Sequence, residues 1–156
     1  MPSEHLAFET QHFRCYSKLH HSQKLREFSA AASQAAGYSL LLHMRVLIDF
    51  FYAEPEKDDC NVDHFNALPG FATSFPASLH AHTKKTREVS ETLNKFLAHL
   101  TATRWEKPRQ AWDYYDQFAP TIDNLIEKFE AALPDDLEKV YLKAYQHWDR
   151  YHLGTV

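Results

Sequence analysis

Glycine is scarce in this chain, with three in 156 residues. An all-β protein needs many tight turns at positive φ, which so few glycines do not supply, and the shortage favours long helices joined by few connections. Seven prolines then act as punctuation. Long apolar runs are also missing: none approaches the roughly 20 residues that cross a bilayer, and Met1-Pro2-Ser3-Glu4-His5 has neither the basic nor the apolar region of a signal peptide. No membrane partner is expected. The two cysteines, Cys15 and Cys60, lie far apart, and thiols without a secretion signal are more often free than bridged, so the expected location is cytoplasmic. Nor is there an excess of positive charge. At a formal −4 the chain has no general attraction for nucleic acid, and any contact with RNA or DNA needs a local basic patch. Glycine-rich phosphate loops, Gly-x-Ser-x-Gly elbows and Cys-x-x-Cys pairs do not occur, which removes the common nucleotide, hydrolase and redox readings and leaves no cofactor expected.

What is present is core material: 44% hydrophobic and 14% aromatic residues, enough for one well-packed core but not comfortably for two, so residues 1–156 are read as a single domain. Eleven histidines make the net charge drift upward as pH falls through the mid-sixes. They do not carry the spacing of a metal site. His20-His21, His80 with His82, and His64 have neither the four-residue helical pairing nor a nearby cysteine pair, and no metal is expected. Asp58-Asp59 with Asp63 suits a cap after Pro55 better than a cation site.

The expected fold is all-α, an up-and-down bundle of four to five main helices. Residues 1–20 show weak periodicity and read as a short helix or an ordered arm. From Ser22 to about Ala53 runs the strongest helical stretch, with alanines supplying propensity, Leu40 to Tyr52 supplying bulk, and Gly37 marking a weak point or a close helix approach. Residues 54–75 form a long connection with one helical turn around Val62 to Leu68. Thr73 or Ser74 before Pro76 reads as the cap of a helix that continues to about Thr103, with Val89, Leu93, Phe96, Leu97 and Leu100 as its apolar stripe. Pro108 opens a further segment to Leu133 that Pro120 is expected to kink or divide. Pro134-Asp135-Asp136 starts the last helix, which runs to about Tyr151.

Three polar residues interrupt the otherwise apolar Leu40–Tyr52 segment: His43, Arg45 and Asp49. A helix apolar nearly all round lies at the centre of a bundle, and the four-residue spacing puts Arg45 and Asp49 on one face. Buried charges persist only when partners fill their valences. His99, at the edge of the Val89–Leu100 stripe beside Lys95 and Thr103, is the expected partner, with Asn94 toward the opposite edge. Two readings follow: a purely structural polar knot, or a general acid or base at His99 with an arginine to hold a phosphate. Lys84-Lys85 with Arg87, and Arg104 with Lys107 and Arg109, make two short basic groups at opposite ends of the same helix. These are either solvated faces or contacts to a phosphate backbone.

The run Leu93-Asn94-Lys95-Phe96-Leu97-Ala98-His99-Leu100-Thr101, followed by Arg104, resembles the signature helix of the HEPN superfamily, helical domains that include RNA-cleaving toxins and antiphage factors. His43 to Tyr52 is similar to a central helix in bacterial proteins of this type. The family's active ribonucleases carry an arginine, usually followed by a polar residue, and a histidine four to six residues beyond. His99 and Asn94 match; the arginine position is Leu93. Arg104 or Arg45 would have to stand in as the cation that grips a scissile phosphate. The resemblance implies RNA or an RNA-processing protein as partner, metal-independent cleavage with His99, Arg104 and Asn94 as catalytic residues if activity is retained, and pairing of two chains near the signature helix. The competing class is a non-catalytic helical module for protein association, with His43, Arg45, Asp49 and Lys95 as an architectural polar cluster.

Overall fold

The computed structural model describes residues 2–22, 28–52, 61–81, 83–98 and 108–153, and every regular element among them is helical. Five long helices carry the fold: α1 (Pro2–His21), α2 (Ala30–Tyr52), α4 (Lys84–Ala98), α5 (Pro108–Ala132) and α6 (Asp135–Leu153). Between α2 and α4 lie a 3₁₀ turn (Val62–Ala67), the single-turn α3 (Phe71–Ser74) and a second 3₁₀ turn (Ala77–Leu79). No described helix is long and apolar enough to cross a membrane.

Side-chain oxygens decide where the helices start. Ser29 accepts from the Ala32 amide at 3.3 Å and opens α2 at Ala30, later in the chain than the composition suggests. Asn61 and His64 cap the first 3₁₀ turn reciprocally, the Asn61 side-chain Oδ1 accepting from the Asp63 amide at 3.2 Å and the His64 ring Nδ1 accepting from the Asn61 amide at 3.2 Å. His64 therefore has a local structural use. The expected helix start at Pro76 is corrected: Pro76 precedes only a 3₁₀ turn of three residues, and α4 begins at Lys84. There the Thr83 amide donates to the Thr86 hydroxyl at 3.0 Å while the Thr86 amide donates to Thr83 at 3.1 Å. This is a reciprocal cap of the kind that satisfies two helix-end donors at once. At α6 the Pro134 carbonyl accepts from the Glu138 amide at 2.8 Å, and Asp135, Asp136 and Glu138 occupy the first turn, where the helix dipole favours negative charge.

Pro120 does not divide its segment; α5 runs unbroken from Pro108 to Ala132. The missing amide costs one backbone bond, yet Pro120 itself is exposed while Tyr115, Phe118, Ala119 and Ile122 around it are buried, so the packed face holds the helix across the defect.

Helix α1 lies between α2 and α6, and α2 packs on α1, α4 and α5, which places the apolar Leu40–Tyr52 stretch at the centre. Where a Cβ would stand on Gly37, two ring carbons of Trp112 are 3.0 Å away, so this glycine marks a close approach of α2 and α5. The densest packing surrounds Phe129 of α5. Phe50, Phe51, Phe65, Phe71, Phe75 and Tyr141 all set their rings 5.0 to 6.4 Å from it in edge-on arrangements, the geometry that aromatic quadrupoles prefer.

Candidate functional site

The polar residues of α2 do not converge on one centre among the described residues. His43, 8% exposed, faces α1 and donates from Nδ1 to Glu9 Oε2 at 2.7 Å. Its ring stacks on Tyr16 at 6.0 Å and 10° and lies 4.9 Å from the ring of His12, which is itself tied by Nδ1 to the Phe8 carbonyl at 2.9 Å. Arg45 and Asp49 form the expected i, i+4 pair, Nε to Oδ2 at 3.3 Å. Asp49 turns its other oxygen to α4, accepting from the Ser90 hydroxyl at 2.5 Å. Six residues separate His43 from Asp49, and at about 100° per residue they point to different neighbours.

On α4, Val89, Leu93 and Phe96 are buried as the stripe requires. Asn94 is half-buried at the edge of the stripe and Lys95 is exposed. His99 and Arg104 lie outside the described residues.

A second constellation, which the sequence reading did not single out, occupies a cleft of about 670 Å³ between α1 and α5. Arg14 stands in its wall. The guanidinium donates through Nε to Asp123 Oδ1 at 3.0 Å and through Nη1 and Nη2 to the two oxygens of Glu130 at 3.0 and 3.3 Å, a forked pairing that fixes orientation as well as charge. Burial alone would lower the Arg14 pKa, but the hydrogen bonds and charges of Asp123 and Glu130 outweigh it and hold the group above its ordinary value. Toward the other end, the Ser17 and Tyr115 hydroxyls are hydrogen-bonded at 2.8 Å, and His21 donates from Nδ1 to the Ser17 carbonyl at 2.8 Å. Burial raises the Tyr115 pKa, with the Ser17 bond opposing it in part. Just outside the cleft, His20 stacks on Trp112 at 5.1 Å and 5°. Burial, and then the neighbouring charge of His21, lower its pKa, partly offset by Asp116.

The signal for this cleft was present in the spacing. Asp116, Asp123, Glu127 and Glu130 recur at intervals of seven, four and three residues, one face of a helix, and Arg14 with Lys18 has the matching four-residue step on α1. An expected break at Pro120 concealed the first pattern, and the weak apolar periodicity of residues 1–20 concealed the second. Comparison with known proteins adds no neighbour, since no protein family, curated protein or solved structure matches the chain.

Proposed function

We propose that this chain is a HEPN-like helical domain that binds RNA without cutting it, in a bacterial stress or defence setting. The observation that carries the reading is Leu93, 0% exposed in the buried stripe of α4, at the position where the active ribonucleases of that family hold their arginine. A side chain rooted there projects into the core, so no cation reaches a scissile phosphate from it, and the transition-state charge goes unmatched. Binding needs only a basic surface. The exposed face of α4 carries Lys84, Lys85, Arg87 and Lys95 against Glu88 and Glu91, an excess of two positive charges on a chain whose formal charge is −4. Contacts of this kind release counterions and weaken steeply with salt.

The test is fluorescence anisotropy of labelled single-stranded RNA, at two salt concentrations, beside a cleavage assay of the same RNA with and without chelator. The expected result is salt-sensitive binding that a Lys84→Glu, Lys85→Glu double variant weakens, and intact RNA throughout, for the wild type and for His99→Ala and Arg104→Ala alike. Cleavage that disappears in His99→Ala would overturn the non-cutting reading. Absence of both cleavage and retention would leave the second class, a protein-association module. That alternative is favoured by one observation: the Glu9–His43 and Ser90–Asp49 bonds tie two of the three α2 polar groups to neighbouring helices within the bundle, as an architectural cluster would. Light scattering of the purified chain tests the pairing of two copies that the HEPN-like reading implies.

A further inference from the structure

We infer that the outer face of α2 is the surface through which two copies of this chain pair, antiparallel across a two-fold axis. Helix α2 is central, with α1, α4 and α5 packed on it, but its fourth side is open. Ala31, Ala35 and Leu42 are exposed there, Leu42 by 43%, and Ser39 and Val46 are half-buried between and beside them. At about 100° per residue these five positions fall within an arc of about 80°, so they form one continuous ridge along the helix. A single exposed leucine is ordinary; a contiguous apolar face marks a surface that something covers.

The composition of that face sets α2 apart from its neighbours. Every other long helix carries charge at exposed positions: Lys18 on α1, Lys84 on α4, Asp113 on α5 and Asp136 on α6. From Ala30 to Met44, α2 has no aspartate, glutamate, lysine or arginine. Solvated helix faces are normally polar or charged, and the bare run spans the whole N-terminal part of the open side.

The pattern fits a second copy of itself. Small residues stand toward the N-terminal end, at Ala31 and Ala35, and bulky ones toward the C-terminal end, at Leu42 and Val46. Antiparallel pairing about a point between Tyr38 and Ser39 sets Leu42 over the partner's Ala35 and Val46 over the partner's Ala31, so each knob meets a space. Parallel pairing would set leucine on leucine and alanine on alanine and leave gaps. Charge agrees with the antiparallel arrangement. The first turn of α2 has no acidic residue, and this register brings Asp49 of the other copy, its side chain 37% exposed, to that positive helix end. The two Arg45 side chains are rooted about 20 Å apart along the axis at 1.5 Å per residue, so like charges do not meet. A face about 22 Å long and one helix wide is small among specific interfaces, and pairing in the micromolar range is expected. It is distinct from the basic surface of α4 and does not depend on RNA binding.

Sedimentation velocity of the full, nucleic-acid-free chain between about 1 and 200 µM tests the pairing. The expected result is a monomer–dimer equilibrium whose dissociation constant Ala35→Glu raises at least about tenfold, with circular dichroism showing the helices intact. Ala35→Glu combined with Leu42→Lys in one chain should restore the dimer, because in the antiparallel register each new acid meets a new base of the other copy. Parallel pairing would set acid on acid and base on base. Lys95→Glu, on the exposed face of α4, should leave the equilibrium unchanged. Loss of the dimer in Lys95→Glu while Ala35→Glu still pairs would move the interface to α4 and overturn the proposal. A chain that stays monomeric throughout, a dimer indifferent to Ala35→Glu, or a folded double variant that remains monomeric would each overturn it as well.

Discussion

The two halves of α5 serve different ends. At Phe129, itself 1% exposed, the helix meets six aromatic rings, whereas between Trp112 and Glu127 it meets hydroxyls, imidazoles and a cleft open to solvent. The first half gains stability in proportion to apolar area removed from water. The second offers polar groups whose net worth to folding is small because water competes for them. One continuous helix thus joins the part that holds the fold to a polar, solvent-open cleft, and the exposed Pro120 sits within the second.

The largest test of that contrast is Phe129→Ala. Removing the hub of the ring cluster should cost about 3–5 kcal/mol in urea unfolding; a loss below about 1 kcal/mol would mean that stability is spread evenly along α5. Next comes Arg14→Met, which keeps most of the side-chain volume while abolishing both ion pairs. With the Arg14 side chain 20% exposed the loss should be about 1–3 kcal/mol, smaller than that at Phe129 because solvent screens the freed carboxylates. Gly37→Ala should be smaller again. The added Cβ would stand 3.0 Å from the Trp112 ring, so the strain of shifting Trp112 offsets the roughly 1 kcal/mol that alanine gains in a helix, and a clear stabilisation would show that Trp112 moves freely. The smallest effect is the pH dependence contributed by His20. Its pKa is lowered from 6.5 in the fold, so the unfolded chain binds that proton more tightly. Stability is full above the unfolded value and is lost as pH falls through the lower folded value. His20→Phe should flatten this part of the stability profile between pH 7 and pH 5, and an unchanged slope would exonerate His20.

Much of the helical layout was legible before the structure. Leu40–Tyr52 had to be central because an all-round apolar helix has no other place, and Pro134-Asp135-Asp136 announced α6 through chemistry confined to three residues. The turn at Val62–Ala67 was visible in the same way. What could not be read were partners chosen across the fold. His43 stood out in its helix, but nothing near it in sequence names Glu9, 34 residues away. The start of α4 was misplaced because Ser-x-Pro and Thr-x-x-Thr are both lawful openings, and the residues after the first are drawn into packing across the fold, with the Phe75 ring buried 5.3 Å from that of His80. The cleft needed α1, whose buried face includes Thr10, Gln11 and His12 and so carries little of the apolar rhythm by which helices are recognised.

The place of α1 between α2 and α6 bears on how the molecule assembles. Residues 2–21 cannot be enclosed until residues 135–153 have arrived, so closure of the bundle waits on a contact that is among the most distant in sequence, and such contacts slow folding. During that wait α1 lies uncovered on one side. The Thr10 hydroxyl, which meets Tyr141 of α6, lies on that side, and a flank that is not wholly greasy attracts stray chains less than one that is.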